Sequence, residues 1–232
     1  MFPRTALVTG AASGIGAALV ALLRSEGAEV QTLDLAEGFD VADPDAWEIV
    51  DAVELACLNA GVTTGASDLL EVSDDAYRRI VGANVDGVVH GVRRLARVME
   101  PGGSIVATAS LAGLVPAPQD PLYTLTKHAV VGFVRSVAPQ LERRGIRISA
   151  VAPGFVDTPL LGEVGRARFV NAGFPLLQAE DVARAVLTAA RSDETGQVWV
   201  VQPGREPLRF RFPNVPGPRD ASGSPVGVPP LS

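Results

Sequence analysis

The sequence predicts an α/β fold, a doubly wound parallel sheet with helices on both faces, built as a single domain. Short apolar, β-branched segments alternate with segments of helical periodicity along most of the 232 residues. The strand-like segments are apolar throughout instead of alternating with polar residues, as is typical of strands buried on both faces. With 47% hydrophobic residues, the chain is long enough to bury a core without disulfides.

The predicted elements follow one another in a regular order. Strands are expected at 5–10, 28–35, 54–61, 102–110, 146–154 and 196–201. Helices are expected at 15–27, 44–53, 121–144 and 179–192, with one or two more over 71–100 and an interruption near Gly87. This alternation produces βαβ units, whose parallel strands present their carboxyl ends at one edge of the sheet.

The composition changes near the C-terminus. From Pro203 onward, 12 of the last 30 residues are Pro or Gly. We therefore divide the chain into a domain over 1–204 and a Pro/Gly-rich extension over 205–232. The segment LRFRF at 208–212 alternates apolar and basic residues, so it could form a strand at a sheet edge or across a subunit boundary. No regular structure is expected after about residue 213.

Charge and cysteine content exclude several classes of function. The net charge of -6 disfavours binding to nucleic acid, which requires a basic surface. A single cysteine, Cys57, cannot form an internal disulfide, and His90 and His128 are not spaced as metal ligands, so we expect no metal site. The N-terminus lacks the pattern of a signal peptide, and no apolar run is long enough for a membrane helix. We expect a cytoplasmic protein that does not bind membranes.

A glycine-rich segment, Thr9-Gly10-Ala11-Ala12-Ser13-Gly14-Ile15-Gly16, joins the first strand to the first helix. Its glycines permit a tight turn and a close approach of backbone amides to a ligand, and the start of the helix favours a pyrophosphate. Glycines also end strands for purely structural reasons, but this placement favours a dinucleotide site.

Asp34 ends the second strand, 24 residues after Gly10. A carboxylate there can accept hydrogen bonds from the adenosine ribose and would repel the extra phosphate of NADP. Its neighbours Ser13 and Leu35 provide no positive charge to attract that phosphate. The alternative is a solvated aspartate at a strand end. We predict NAD as the cofactor.

Tyr123 and Lys127 are four residues apart at the start of a predicted helix, so their side chains lie on one face. Lys127 is the only lysine among the 20 Lys and Arg residues. A nearby ammonium favours a phenolate and lowers the pKa of a phenol, a role to which arginine is poorly suited. A surface lysine that happens to follow a core tyrosine is the alternative, and chance seldom produces this spacing. Ser110 ends the strand at 102–110, where its hydroxyl could hold a substrate oxygen beside the phenol.

These motifs together resemble the short-chain dehydrogenase/reductase family over residues 5 to about 204. They are TGAASGIG, Asn59-Ala60-Gly61, Asn84 in ANVDG, Ser110, Tyr123-x-x-x-Lys127 and PGFVDT at 153–158. The resemblance implies a Rossmann-type sheet, NAD(P)-dependent alcohol or carbonyl chemistry, and a homodimer or homotetramer formed through 85–100 and 122–143. Relative to the family, the stretch between Asp40 and Asn59 is short, which indicates a truncated third helix, and so is the substrate lid at 159–177.

The resemblance also implies a role for each matching residue. Tyr123 would be the general acid/base, Ser110 would orient the substrate oxygen, and Lys127 would bind the nicotinamide ribose and lower the Tyr123 pKa. Asn84 would hold a water in a proton relay to Lys127. Further cofactor contacts are expected from Asp40 and Val41 near the adenine, from Asn59, Ala60 and Gly61 beside the adenosine, and from Pro153, Gly154, Val156 and Thr158 near the nicotinamide.

The sequence therefore predicts an NAD-dependent oxidoreductase that interconverts a secondary alcohol and its ketone. The alternatives are a catalytically silent dinucleotide-binding sensor or scaffold on the same fold, and a dehydratase or epimerase that keeps its NAD bound. The substrate is not determined by these motifs. An apolar pocket is suggested by residues that could equally belong to the core, namely Leu111, Leu114, Phe155, Leu160, Leu161 and Phe169.

Overall fold

A computed structural model describes residues 2–227 as one sheet covered by helices. The strands are β1 (Thr5–Thr9), β2 (Glu29–Leu33), β3 (Leu55–Leu58), β4 (Ser104–Thr108), β5 (Arg147–Pro153), β6 (Val198–Val201) and β7 (Leu208–Arg209). The α-helices are α1 (Gly14–Ser25), α2 (Asp74–Val81), α3 (Gly87–Val98), α4 (Pro121–Glu142), α5 (Gly162–Asn171) and α6 (Ala179–Arg191).

The sheet has the order β2-β1-β3-β4-β5-β6-β7, and its first six strands in chain order pair in parallel. On one face α1 and α6 bury apolar side chains such as Leu19 and Val186. On the other face α3 and α4 do the same with side chains such as Leu95 and Val134. The predicted doubly wound sheet is confirmed, and its parallel strands end at a common edge where ligands bind in open α/β sheets.

The helical region 71–100 is interrupted as expected, by a change of helix type. A π-helical turn, Gly82–Asp86, joins α2 to α3 and carries Asn84, which is completely buried. A π-turn inserts extra residues into a helix and is frequent at functional sites. Here it turns the Asn84 side chain into the interior, towards α4, where it bonds the Thr126 hydroxyl.

The predicted helix at 44–53 is wrong, because only a short 3-10 helix, Asp45–Ile49, forms there. Trp47 is buried, donates from its Nε1 to the Val41 carbonyl at 3.0 Å, and packs edge-on against Phe39. These contacts hold Trp47 and Phe39 in the core on the side of the sheet that α3 and α4 cover. The connection between β2 and β3 therefore contains no α-helix, and β2 forms an edge of the sheet.

The C-terminal segment returns to the sheet at its other edge. Strand β7 pairs antiparallel with β6, so the edge-strand alternative for LRFRF is the one observed. Phe210 and Phe212 pack against the core, and the guanidinium of Arg135 lies 3.6 Å from the centre of the Phe212 ring. From 213 to 227 there is one isolated bridge, between Arg219 and Pro225, and no helix, as expected. The last residues of the predicted extension, 228–232, lie outside the described residues.

Candidate active site

Polar side chains at the ends of three neighbouring strands align the loops of the site. The Thr9 hydroxyl accepts hydrogen bonds from the backbone nitrogens of Asn59 and Ala60, at 2.9 and 3.0 Å. The Thr108 hydroxyl donates to Asn59 Oδ1 at 3.1 Å. Because β1, β3 and β4 are adjacent, these bonds fix the Asn59-Ala60-Gly61 turn between the glycine-rich loop and the end of β4.

The glycine-rich loop depends on the absence of side chains. Gly10 has a φ of 65°, and a Cβ added to Gly16 would lie 1.9 Å from the Gly10 carbonyl oxygen. Ser13 is the N-cap of α1 and its hydroxyl makes no capping hydrogen bond. Thr158 approaches from β5, with a methyl carbon 3.1 Å from where a Gly14 Cβ would be. The loop thus exposes the start of α1 and is bordered by Thr158.

Asp34 fixes the other side of this loop. Its two carboxylate oxygens accept from the backbone nitrogens of Ala12 and Ala36, each at 2.9 Å. Leu35, next to it, is 71% exposed. Arg24, in the last turn of α1, is the one basic residue between positions 5 and 46. The surroundings of Asp34 are therefore suited to hydroxyl groups and poorly suited to a second phosphate.

Two residues expected near the adenine differ in what they can offer. Asp40 is exposed, and its carboxylate accepts from the Ala42 nitrogen at 2.9 Å. Val41 is buried in the core, where its side chain packs against Gly87. The Val41 side chain cannot reach a cofactor, so a contact there would have to use backbone atoms.

Tyr123 and Lys127 lie on the first turns of α4, as expected. Lys127 is only 3% exposed, and its Nζ donates to the Thr108 carbonyl at 2.8 Å. Nζ lies 5.4 Å from the centre of the Tyr123 ring. Burial lowers the pKa of Lys127 to about 8, because the ammonium is removed from water. Among the described residues the Thr108 carbonyl accepts one ammonium hydrogen, which leaves this buried charge able to bind the hydroxyls of a ribose.

The pKa of Tyr123 is raised to about 12, and burial of the phenol is the largest cause. A hydrogen bond from the Ser110 hydroxyl lowers that pKa, and the negative charge of Asp120 raises it further. The net shift of this pKa is upward, and the expected lowering of it by Lys127 stays a prediction. Ser110 lies beside the phenol, at the position that the sequence predicts for it.

Asn84 holds the chain that follows Gly61. Its Oδ1 accepts from the Val62 nitrogen at 2.7 Å, and its Nδ2 donates to the Val62 carbonyl at 2.9 Å and to the Thr126 hydroxyl at 3.0 Å. The side-chain amide is thus used in fixing this loop to α4. Its expected role in holding a water stays a prediction.

The segment after β5 is held in place by contacts to Leu177 and to α5. Val156 forms a bridge to Leu177, and the Asp157 carboxylate accepts two hydrogen bonds from Arg166 Nε on α5, at 2.8 and 3.0 Å. These contacts tie α5, none of whose residues is buried, to the end of β5. The sequence did not predict this helix, because an exposed helix lacks an apolar periodicity.

The six residues proposed for the apolar pocket separate into two groups. Phe155 and Phe169 stack with their ring centres 4.1 Å apart, and Phe174 joins them. Leu111 approaches Gly154, with a methyl carbon 3.5 Å from where a Gly154 Cβ would be. Leu160 is exposed and Leu161 packs on Gly165, whereas Leu114 packs against the core. The aromatic cluster therefore joins Phe155, directly after β5, to α5 and to Phe174 beyond it.

Sequence reasoning missed Asp120, the N-cap of α4, whose carboxylate binds both the Tyr123 nitrogen and the loop 63–65. Aspartate followed by proline at a helix start is a recognised capping signal. The loop contacts had no sequence signal. Over the described range, no cluster of His, Cys, Asp and Glu could hold a metal ion, and no helix is long and apolar enough to cross a membrane.

The residues present fit a dinucleotide. The glycine-rich loop, which a Cβ at Gly16 would close, and the free capping position of α1 both suit a pyrophosphate. The buried ammonium of Lys127 suits a ribose. Asp34 stands at the other ribose position.

Comparisons with known proteins agree with this geometry. A family model described as enoyl-(acyl carrier protein) reductase matches residues 39–205. Cyclohexanol dehydrogenase of Acinetobacter sp. (strain SE19) is 31% identical, over 85% of this chain and 93% of the relative. Mitochondrial borneol dehydrogenase of Lavandula x intermedia is 34% identical, over 84% of this chain and 86% of the relative. The crystal structure of BdcA in complex with NADPH superposes with a TM-score of 0.77 at 28% identity, covering 85% of this chain and 92% of that one. The chain therefore belongs to the short-chain dehydrogenase/reductase family of oxidoreductases.

Proposed function

We propose that this protein is an NAD-dependent dehydrogenase that interconverts a secondary alcohol and its ketone, with Tyr123 as the general acid/base. The observation that carries this proposal is the convergence of Tyr123, Lys127 and Ser110 at the carboxyl edge of the sheet. They lie beside a loop suited to a dinucleotide, and the family binds nicotinamide dinucleotides.

In oxidation, the Ser110 hydroxyl holds the substrate oxygen and Tyr123 Oη takes the proton of the alcohol. In reduction, Tyr123 returns that proton to the forming alkoxide. Lys127 binds ribose hydroxyls and, when protonated, favours the phenolate 5.4 Å away. A bound oxidised nicotinamide supplies the hydride acceptor and a further positive charge. Because the pKa of Tyr123 is raised to about 12, chiefly by burial, these positive charges are needed for proton transfer near neutral pH.

The preference for NAD follows from Asp34. Its carboxylate is fixed by two backbone nitrogens at the end of β2, and no basic residue stands next to it in sequence. A 2′-phosphate placed there would meet a negative charge. BdcA was solved with NADPH, so the preference for NAD rests on this chain's own residues.

We propose an apolar alicyclic alcohol as the substrate. The relatives named above act on cyclohexanol and borneol, and both molecules are compact and lack charge. The aromatic cluster of Phe155, Phe169 and Phe174 and the neighbouring Leu111 give the site an apolar side of matching character.

The test is a steady-state assay of the purified chain with cyclohexanol, borneol and a linear secondary alcohol, each with NAD and with NADP. We expect the absorbance of reduced cofactor to appear with NAD and to be greatest with the alicyclic alcohols. An equal or larger kcat/KM with NADP would refute the Asp34 argument. Tight NAD binding without turnover of any alcohol would favour a silent dinucleotide sensor.

We further propose a cytoplasmic homodimer or homotetramer formed through α3 and α4. Gly132 supports this, because it is exposed in the middle of α4 and a Cβ there would contact nothing in the described chain. An interior glycine costs a helix about 1 kcal/mol relative to alanine, which is explained if a partner helix approaches closely. The domain division at residue 204 also stays a proposal, although Phe210 and Phe212 pack against the core.

A further inference from the structure

Asp120 joins two parts of the active site that are distant in sequence. Its Oδ1 accepts from the Tyr123 backbone nitrogen at 2.9 Å. Its Oδ2 accepts from the Thr63 hydroxyl at 2.5 Å and from the backbone nitrogens of Thr64 and Gly65 at 2.8 and 3.1 Å. The side chain is therefore bound on one side to the helix that carries the phenol and on the other to the loop 63–65.

This carboxylate is ionised in the folded protein. Asp120 is only 9% exposed, and burial by itself raises its pKa. The hydrogen bonds from the Thr63 hydroxyl, from Tyr123 and from the loop outweigh burial, so the pKa of Asp120 is lower than its ordinary value. The buried carboxylate accepts four hydrogen bonds, and moving it would break several of these charged hydrogen bonds at once. It therefore resists displacement.

The loop that Asp120 binds is fixed at both ends. Asn84 holds Val62 through two hydrogen bonds, and Asp120 holds Thr63, Thr64 and Gly65. The preceding residue, Gly61, is so close to the catalytic lysine that a Cβ there would lie 3.4 Å from its Nζ. Any movement of this loop is therefore transmitted to the position of both α4 and the lysine.

We propose that Asp120 is a positioning residue for Tyr123: it locks the first turn of α4 to the loop 63–65, and its negative charge sets the lower limit of the pH range in which the alcohol is oxidised. The inference rests on the proposed acid/base role of Tyr123. The hydrogen bonds of the Asp120 carboxylate reach only the loop 63–65 and the Tyr123 backbone nitrogen, so Asp120 positions the phenol without touching the reacting atoms.

The geometric part follows from the contact to the Tyr123 nitrogen. That bond places the backbone from which the phenol projects, and the loop contacts prevent the helix start from tilting. A displacement of about 1 Å at a reacting group can cost on the order of 100-fold in rate. Loss of the carboxylate should therefore lower kcat more than it raises the KM for NAD, whose expected contacts are elsewhere.

The electrostatic part follows from the sign of the charge. Burial raises the pKa of Tyr123, and the hydrogen bond from Ser110 lowers it. The negative charge of the Asp120 carboxylate then raises it further. Lys127 provides the opposing positive charge from the next turn of α4. The loops 63–65 and 111–113 have no titratable side chains. The other charged groups on elements packed against α4 are exposed or lie at the far end of β5; they are Asp74, Asp75, Arg78, Arg79, Asp86 and Arg147.

The test compares Asp120→Asn with Thr63→Val. The first variant removes the charge but keeps an acceptor for the Tyr123 nitrogen, whereas the second removes one loop contact and no charge. For Asp120→Asn we expect kcat for oxidation to fall about 10-fold or more, and its rise with pH to move to lower pH. For Thr63→Val we expect a smaller fall in kcat and no movement along the pH axis. NAD affinity, measured by quenching of tryptophan fluorescence, should stay within about twofold in both.

A second readout does not depend on turnover. The ultraviolet absorbance of tyrosinate, titrated with NAD bound and referred to Tyr123→Phe, should appear at lower pH in Asp120→Asn than in the parent. If Asp120→Asn fails to fold, Asp120→Ser, which retains a helix cap, gives the same comparison. A parent-like kcat together with an unmoved titration would overturn the positioning role. An inactive parent whose tyrosine titration still shifts in Asp120→Asn would contradict the proposed function but support the role of the Asp120 charge.

Discussion

Replacing Lys127 by methionine removes a buried ammonium, and the effect on stability can be worked out from the structure. Burial lowers the pKa of Lys127 from 10.5 to about 8. At 1.36 kcal/mol for each pH unit, the charged form costs the folded protein about 3 kcal/mol well below pH 8. Between pH 8 and 10.5 the unfolded chain binds more protons than the folded one, so stability attributable to this residue rises with pH.

The assay is denaturant unfolding of the parent and of Lys127→Met at pH 7 and at pH 10. We expect the free energy of unfolding of the variant, relative to the parent, to decrease by about 2 to 3 kcal/mol between these pH values. Arg97→Met is the matched control, because an exposed guanidinium on α3 stays charged at both pH values and should give a constant difference. A constant difference for Lys127→Met as well would show that the lysine does not lose its proton, and would refute the argument from burial.

Three further predictions concern cofactor choice, assembly and the C-terminal segment. Asp34→Ser should lower kcat/KM for NAD about 10-fold or more and narrow the preference over NADP, measured by steady-state kinetics. Gly132→Leu should shift the oligomer towards monomer in light scattering, whereas Gly132→Ala should stabilise the monomeric chain by up to about 1 kcal/mol. Truncation after Gly204 should lower the Tm, because Phe210 and Phe212 leave the core, while truncation after Pro213 should leave the Tm nearly unchanged.

Each of these has a contrary outcome that would count against it. The control for Asp34→Ser is Glu37→Gln. It removes an exposed negative charge close to Asp34 and leaves the hydrogen bonds between Asp34 and the backbone intact. An unchanged cofactor ratio in Asp34→Ser would contradict the electrostatic argument. Retention of the oligomer in Gly132→Leu would locate the interface elsewhere, and equal Tm values for the two truncations would show that 205–213 contribute no stability.

Periodicity was enough to predict most of the fold. Strands β1 to β6 all lie within their predicted ranges, and the central strands β1, β3, β4 and β5 are almost entirely buried and mostly apolar. The predicted helix at 44–53 is the exception. There the Trp47 side chain is buried in the core and bonds the Val41 carbonyl, and only a short 3-10 helix forms. Helix α5 escaped prediction for the opposite reason, since none of its residues is buried and its sequence has no apolar stripe.

The site was predictable where spacing along one element decides it. Tyr123 and Lys127 share a helix face, so a spacing of four residues places them together. Asp120 could be expected to cap α4, but its contacts to Thr63 and the following residues join positions that only the fold brings together. The upward direction of the Tyr123 pKa shift could not be predicted from the sequence, because spacing does not show how deeply a side chain is buried. Spacing was thus enough to name the groups that we propose to react, and the structure was needed to describe their environment.

The most direct test of the central claim is the activity of Tyr123→Phe with NAD and cyclohexanol. The matched control is Tyr77→Phe, which changes the only other tyrosine of the sequence. Tyr77 is 46% exposed on α2, and we assign it no part in the site. We expect Tyr123→Phe to lose at least about 100-fold in kcat, as is usual for removal of a general acid/base, while NAD binding is largely retained. Tyr77→Phe should behave as the parent. A Tyr123→Phe variant that turns over at the parental rate would contradict the proposed mechanism.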